Sequence, residues 1–270
     1  MKLLYPLAKR FIAGHDFDSA KSSIQKLIDD GYEVSIDYIG ENNKNIKDCK
    51  EAFTQYLEII KFFKNNKINI SIKPTQMGML IHPLISHNFI ARLAEKAKEN
   101  EQTIRLDMED IKVTELTKNL AITLNNKYGN VGVAVQANLS RSKEDIDFLI
   151  DNNVSIRLVK GAYKGDVTNV LASFFSLTDY LKFKKANRPA IATHDEKILD
   201  KIDDDFYDYE FLYGIRRDLQ KSLLEKQHCV RIYVPFGEKW LAYTFRRLKE
   251  LKNLKFVVSS IIKEKFRSEG

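Results

Sequence analysis

The stretch Ser155-Ile156-Arg157-Leu158-Val159-Lys160-Gly161-Ala162-Tyr163 decides the fold. Residues 155–159 form a short apolar run of strand length. The run stops abruptly at a cation, a glycine and an aromatic. A glycine there lets backbone approach a ligand, and a cation beside it favours an anion. Helical spacing precedes the run over 142–152 and follows it over most of 166–185. A strand held between two helices reads as one unit of a parallel α/β arrangement.

The alternation continues outward in both directions. Strands are expected at 33–39, 68–73, 103–106, 131–136, 155–159, 189–192, 209–213 and 230–234. Helices are expected at 46–65, 86–100, 113–128, 142–152, 166–185, 196–202, 217–226 and 239–252. Pro74 stops the second strand, and Gly129 closes the third of these helices. Ser142, with Asp145 three residues on, is expected to cap the helix over 142–152. Eight strand–helix pairs in about 220 residues favour a closed (β/α)8 barrel over an open sheet. No Pro/Gly-rich linker divides the chain, so one domain over 1–270 is expected, with an N-terminal helical arm over 1–31 and a C-terminal helix over 256–270.

Composition sets further bounds. With 270 residues and a hydrophobic fraction of 44%, the chain can bury one sizeable core. A net charge of +7 permits an anionic substrate, a phosphate-bearing cofactor or attraction to an anionic membrane, and does not call for nucleic acid. Basic residues alternate with acids at 44–50 and 96–101, as on a solvated helix face. No apolar run approaches the ~20 residues needed to cross a bilayer. The basic start (Lys2, Lys9, Arg10) lacks the apolar stretch of a signal peptide. The two cysteines, Cys49 and Cys229, show no metal-ligand spacing. Cys229 opens an apolar strand, so a buried free thiol and a reducing, cytoplasmic compartment are expected.

In such barrels chemistry sits at the carboxyl ends of the strands. Polar residues fall there repeatedly. Lys73 ends the second strand, Asp107 the third and Gln136 the fourth. Arg157 lies within the fifth, and Lys160 ends it. Thr193 and His194 follow the sixth, Tyr213 ends the seventh, and Tyr233 lies near the end of the eighth. Each alone reads as a surface residue or a satisfied core group; the repetition points to a site. On the last helix Tyr243, Arg246, Arg247 and Glu250 share one face. A solvated charged stripe is the plain reading. The packing residues Trp240, Leu241, Phe245, Leu248 and Leu251 on the same helix allow another, in which two arginines clamp a carboxylate over the barrel mouth.

His194-Asp195 could be a metal ligand or a catalytic pair, but no HExxH or Cys/His cluster accompanies it, and no metal site is expected. GxSxG, P-loop and GxGxxG motifs are absent, so a dinucleotide would not be held in the Rossmann way. His194 reads as a donor to a cofactor or as a buried structural residue. Two other functions fit the same pattern: a Schiff-base aldolase using Lys160 or Lys73 beside Asp107, and a catalytically inactive binding barrel.

The segments Leu106-Asp107-Met108-Glu109-Asp110, Val135-Gln136-Ala137, Arg157 to Tyr163, Ala192-Thr193-His194-Asp195, Leu212-Tyr213-Gly214-Ile215-Arg216 and Tyr233 to Trp240 with Tyr243, Arg246 and Arg247 occur in this order over about 30–252. Together they resemble the proline dehydrogenase family, of the short single-function type. The resemblance implies a distorted (β/α)8 TIM-like barrel with extra N- and C-terminal helices, and non-covalent FAD over its mouth. It implies oxidation of L-proline to Δ1-pyrroline-5-carboxylate by hydride transfer to flavin N5. Asp107 and Arg157 would be the catalytic residues, with Arg157 near N5. Met108, Gln136, Lys160, Gly161, Ala162, Thr193 and His194 would bind the rest of FAD. Lys73, Arg246 and Arg247 would hold the proline carboxylate, while Tyr163, Leu212, Tyr233 and Glu250 shape or support the pocket. Tyr233 would favour proline over hydroxyproline. A quinone acceptor, peripheral contact with the inner face of the cell membrane, and pyrroline-5-carboxylate dehydrogenase as pathway partner are further implications. Asn138, Glu210 (where a glutamine is expected) and Lys164-Gly165 depart from the family pattern.

Overall fold

Eight short parallel strands pair in chain order until the last closes on the first. They are β1 (Glu33–Tyr38), β2 (Asn69–Ile72), β3 (Thr103–Leu106), β4 (Val131–Gln136), β5 (Ile156–Val159), β6 (Ala190–Ala192), β7 (Asp208–Leu212) and β8 (Val230–Phe236). The computed structural model describes residues 9–245, so the expected C-terminal helix over 256–270 lies outside the described residues. The helices are α1 (Phe17–Asp29), α2 (Ile46–Phe62), α3 (Pro83–Glu99), α4 (Ile111–Tyr128), α5 (Ser142–Asp151), α6 (Val170–Phe183), α7 (Glu196–Ile202) and α8 (Arg217–Glu225). The (β/α)8 expectation holds, and α1 falls within 1–31, where a helical arm is expected. It lies over the β1–β8 seam, with the Phe17 ring 5.6 Å from that of Phe236.

Side chains alternate along each strand. Ile36, Ile72, Leu106, Val133, Leu158 and Phe211 belong to the apolar shell shared with the helices. Their neighbours Ser35, Ser71, Arg105, Arg157 and Glu210 turn into the lumen. Arg157 of β5 reaches Ser35 of β1, four strands away around the ring, so that bond crosses the barrel. Branched apolar side chains usually fill such an interior. Here much of the filling is charged.

Three local expectations are corrected. The helix expected at 166–185 starts only at Val170, behind an Asn169 cap that accepts from Ala172 N. Residues 160–169 are tied instead to the loop after β4: the Asp166 carboxylate accepts from Ser140 N (2.8 Å) and Oγ (2.6 Å), and Asp166 N donates to the Asn138 carbonyl. Ser142 does not cap α5. Its buried hydroxyl donates to the Gln136 carbonyl at 2.5 Å, while Arg141 occupies the cap position and Asp145 is held by Arg141 and Lys118. Cys229 is free but only half-buried, because it precedes β8 at the rim; Cys49 is buried and free.

The N-terminal segment ends on the mouth side of β8, where Ala13 N donates to Pro235 O and Gly237 N to Gly14 O. Phe11 and Ile12 form a small second core with Ile39, Ile215 and Tyr243, against which Leu212 and Trp240 pack. Gly214 (φ +71°) permits this crossing, since a Cβ there would lie 1.7 Å from the Arg10 carbonyl oxygen. Among the described residues no helix is long and apolar enough to cross a membrane.

Candidate active site

The strand ends bring Asp37, Lys73, Asp107, Arg157 and Tyr233 into one hydrogen-bonded group. Lys73 follows β2 directly, and its ammonium donates to Asp37 Oδ1 (3.1 Å), Asp107 Oδ2 (3.0 Å) and Tyr233 Oη (3.1 Å). Tyr233 donates to Asp107 Oδ2 at 2.7 Å. Asp107 Oδ1 accepts from Arg157 Nη1 at 2.7 Å and from Ser71 Oγ at 3.0 Å. Arg157 Nη2 reaches Ser35 and Ser71 at 3.1 Å each, and its Nε donates to Glu210. The Arg157 guanidinium also lies 5.4 Å from the Tyr233 ring centroid.

The charges fix one another's protonation. Burial pushes the Asp107 carboxyl up, but Lys73 and Arg157 outweigh it and hold it well below the usual carboxylate range. Burial alone would discharge Lys73; Asp37, Tyr233 and Asp107 reverse this and hold it firmly as an ammonium. Burial and the Asp107 charge push the Tyr233 hydroxyl up, so it stays neutral. The group sets the Asp107 anion, two cations and the Tyr233 phenol beside the Asp37 carboxyl, whose pKa burial raises. Asp107 in this setting is a charge that orients, and a weak proton acceptor. Lys73 is the reverse of an activated amine, whose pKa would be lowered, and this counts against a Schiff base at that residue.

The other expected site residues surround this array. Gln136 is buried at the end of β4, with Nε2 donating to Glu109 O at 3.0 Å and Oε1 without a partner among the described residues. Met108, half-buried, packs against the core beside it. Lys160 pairs with Asp195 at 3.1 Å and is substantially exposed. Thr193 accepts from Asp195 N. His194 accepts from Leu212 N at 3.0 Å through Nε2, which puts its proton on Nδ1. Tyr163 reaches across to Glu41 at 3.2 Å. Gly161 has φ +116°, but the space a Cβ would take is filled by Asn138, 2.2 Å away. The loop glycine thus accommodates Asn138, whose amide donates to Tyr163 O at 2.8 Å; Ala162 follows it in the same loop. Arg246, Arg247 and Glu250 lie outside the described residues. The helix expected to carry them begins at 240.

Sequence reading missed Asp37, Ser35, Ser71 and the partners of Glu210. The signal was available in Glu33-Val34-Ser35-Ile36-Asp37, whose strict polar–apolar alternation marks a polar inner face. Below the mouth, Glu210 also accepts from Arg231 Nη1 at 2.8 Å, and Arg231 pairs with Asp208 (3.2 Å) and Glu33. Burial pushes the nearby Arg105 guanidinium down to about 9.

Comparison with known proteins decides the family. The family model described as proline dehydrogenase matches residues 20–169. Proline dehydrogenase of Deinococcus radiodurans is 34% identical over 96% of this chain and 91% of its own length. Proline dehydrogenase 1 of Bacillus subtilis is 30% identical over 95% and 91%.

The chain belongs to the proline dehydrogenase family.

Its activity is that family's oxidation of proline. Among solved structures, proline utilization A from Bdellovibrio bacteriovorus, inactivated by N-propargylglycine, superposes with a TM-score of 0.81 at 23% identity. That match covers 92% of this chain and 33% of the larger one, and shows the shared barrel.

Proposed function

We propose that this proline dehydrogenase uses FAD, bound non-covalently at the barrel mouth, to convert L-proline to Δ1-pyrroline-5-carboxylate. The observation that carries this reading is the fixed Asp107–Arg157–Lys73–Tyr233 array at the strand ends. The residues present fit a flavin. Gln136 Oε1 is a buried acceptor without a partner among the described residues, suited to a ring N–H. Arg157 and Lys160 supply positive charge where a dianionic pyrophosphate and an electron-accepting ring would need it. Met108, Gln136, Lys160, Gly161, Ala162, Thr193 and His194, with Arg157, would hold FAD. Arg246 and Arg247 would hold the proline carboxylate together with Lys73, and Tyr163, Leu212 and Tyr233 would bound the ring.

Hydride leaves C5 of proline, and the flavin, when bound, supplies its acceptor. The neutral amine lone pair forms the C=N bond as that C–H bond breaks, and the nitrogen proton then passes to solvent. Asp107 does not take it, being held as an anion by Lys73 and Arg157. Positioning and charge stabilisation are therefore the contribution of these side chains. The resemblance supports a quinone as the final acceptor, with peripheral membrane contact, and a separate pyrroline-5-carboxylate dehydrogenase as consumer of the product.

The test is the visible spectrum of the purified chain. An oxidised flavin band bleached by anaerobic L-proline, and not by hydroxyproline, supports both the cofactor and the part given to Tyr233. A chain that takes up no added FAD sinks the cofactor reading; a bound flavin that stays oxidised sinks the substrate site.

A further inference from the structure

Glu210 stands where the resemblance implies a neutral glutamine, and the structure gives its charge two partners. The side chain is 2% exposed on the inner face of β7. One carboxylate oxygen accepts from Arg157 Nε and the other from Arg231 Nη1 at 2.8 Å. A glutamine offers a single acceptor oxygen and would turn an N–H donor toward one of the two arginines. A carboxylate gives each arginine its own acceptor oxygen and turns no donor toward either. Arg231 is itself braced by Asp208 at 3.2 Å and by Glu33, so Glu210 is anchored from below.

This anchoring reaches the mouth through one planar group. With Nε held by Glu210, Arg157 turns Nη1 to Asp107 at 2.7 Å and Nη2 to Ser35 and Ser71 at 3.1 Å. Every nitrogen of the guanidinium is engaged, which fixes both its plane and its depth. The carboxylate also sets a negative charge against Arg157 inside a poorly solvated lumen, where charges are weakly screened.

We propose that Glu210 is a positioning residue of the proline dehydrogenase reaction: it fixes the plane of Arg157, and its charge lowers the reduction potential of the flavin bound beside that arginine. The proposal rests on the FAD reading above. Negative charge opposes electron uptake nearby, so Glu210 makes flavin harder to reduce than Arg157 alone would.

The experiment compares three FAD-loaded proteins by redox titration of the bound flavin and by steady-state kinetics. Glu210→Gln should shift the two-electron equilibrium at least tenfold toward reduced flavin, about 30 mV. Glu210→Asp keeps the charge but cannot span both arginines. Its potential should stay near that of the natural chain, while kcat falls at least tenfold and the KM for proline changes little. A natural potential in Glu210→Gln, or a natural kcat in Glu210→Asp, overturns the proposal. Should Glu210→Gln not fold, Glu210→Asp carries the test alone, since a natural kcat in that variant already overturns the proposal. The natural chain separates the two readings: if it binds no flavin, the FAD reading fails and takes the proposal with it. If proline bleaches its flavin and the variants' potentials still match, the proposal alone fails.

Discussion

Arg157 and Leu158 are consecutive residues of β5, 3% and 0% exposed, yet they sit in different surroundings. Leu158 enters the apolar shell between strands and helices. Arg157 enters a lumen of carboxylates and hydroxyls. The contrast repeats around the barrel, with Phe211 outside and Glu210 inside on β7, and Ile232 outside and Arg231 inside on β8. One ring of strands thus separates two jobs. The outer face supplies the burial that holds the fold, and the inner face keeps charges that a core would reject unless each is paired.

The largest effect should come from Arg157→Met. It removes the cation shared by Asp107 and Glu210, leaving two buried carboxylates with fewer partners. Breaking a buried pair in this way costs about 3–5 kcal/mol. Loss of a group stabilising charge at the reaction centre should lower kcat on the order of 10²–10³-fold. Proline-dependent turnover and denaturant midpoints of the same preparation check both parts. Normal turnover would remove Arg157 from the chemistry.

Leu158→Ala is the paired case and the next largest. Truncating this fully buried side chain should destabilise the protein by about 2–5 kcal/mol. Turnover per folded, flavin-loaded molecule should stay within about twofold, because Leu158 packs in the apolar shell on the face of β5 opposite Arg157. A large loss of kcat with intact flavin would show that the two faces of β5 are mechanically coupled, and would break the division argued above.

Much of this was legible in the sequence. The strand–helix alternation located every strand of the barrel, and the strand ends picked out Lys73, Asp107, Arg157 and Tyr233, which the fold brings together. The alternation over 33–39 read as a strand, and its polar half, Glu33, Ser35 and Asp37, carried the inner face too. What the chain does not announce is which charge meets which. Arg157 and Ser35 are 122 residues apart and meet only because the barrel closes with one stagger. Glu210 reads as a departure from a pattern until Arg231 lies across from it. Ser142 followed the spacing of a cap but lay closer to the Gln136 carbonyl, and a buried hydroxyl takes the partner it can reach.

The smallest expected effect is the pH dependence of stability, and it tests the lumen as a set. Burial would raise the Glu210 carboxyl, but Arg157, Arg231 and Arg105 bring it down to about 2 in the folded protein, against ~4.3 for an unperturbed glutamate. The unfolded chain therefore binds more protons between those values. The contribution of Glu210 is fully present above the ordinary glutamate range and drains away as pH falls toward 2. Asp107, also held low, works in the same direction. Asp37 works against them: burial raises its carboxyl, so protonation in the folded state offsets part of the loss. Each proton taken up on unfolding contributes a slope of up to about 1.4 kcal/mol per pH unit. Denaturant midpoints measured from pH 5 to pH 2 should fall steadily in the natural chain and less steeply in Glu210→Gln, which has no carboxyl there to titrate. Parallel slopes in the two proteins would mean that Glu210 does not stand as an anion between its arginines, and the inner face would then owe its order to Asp107 and Lys73 alone.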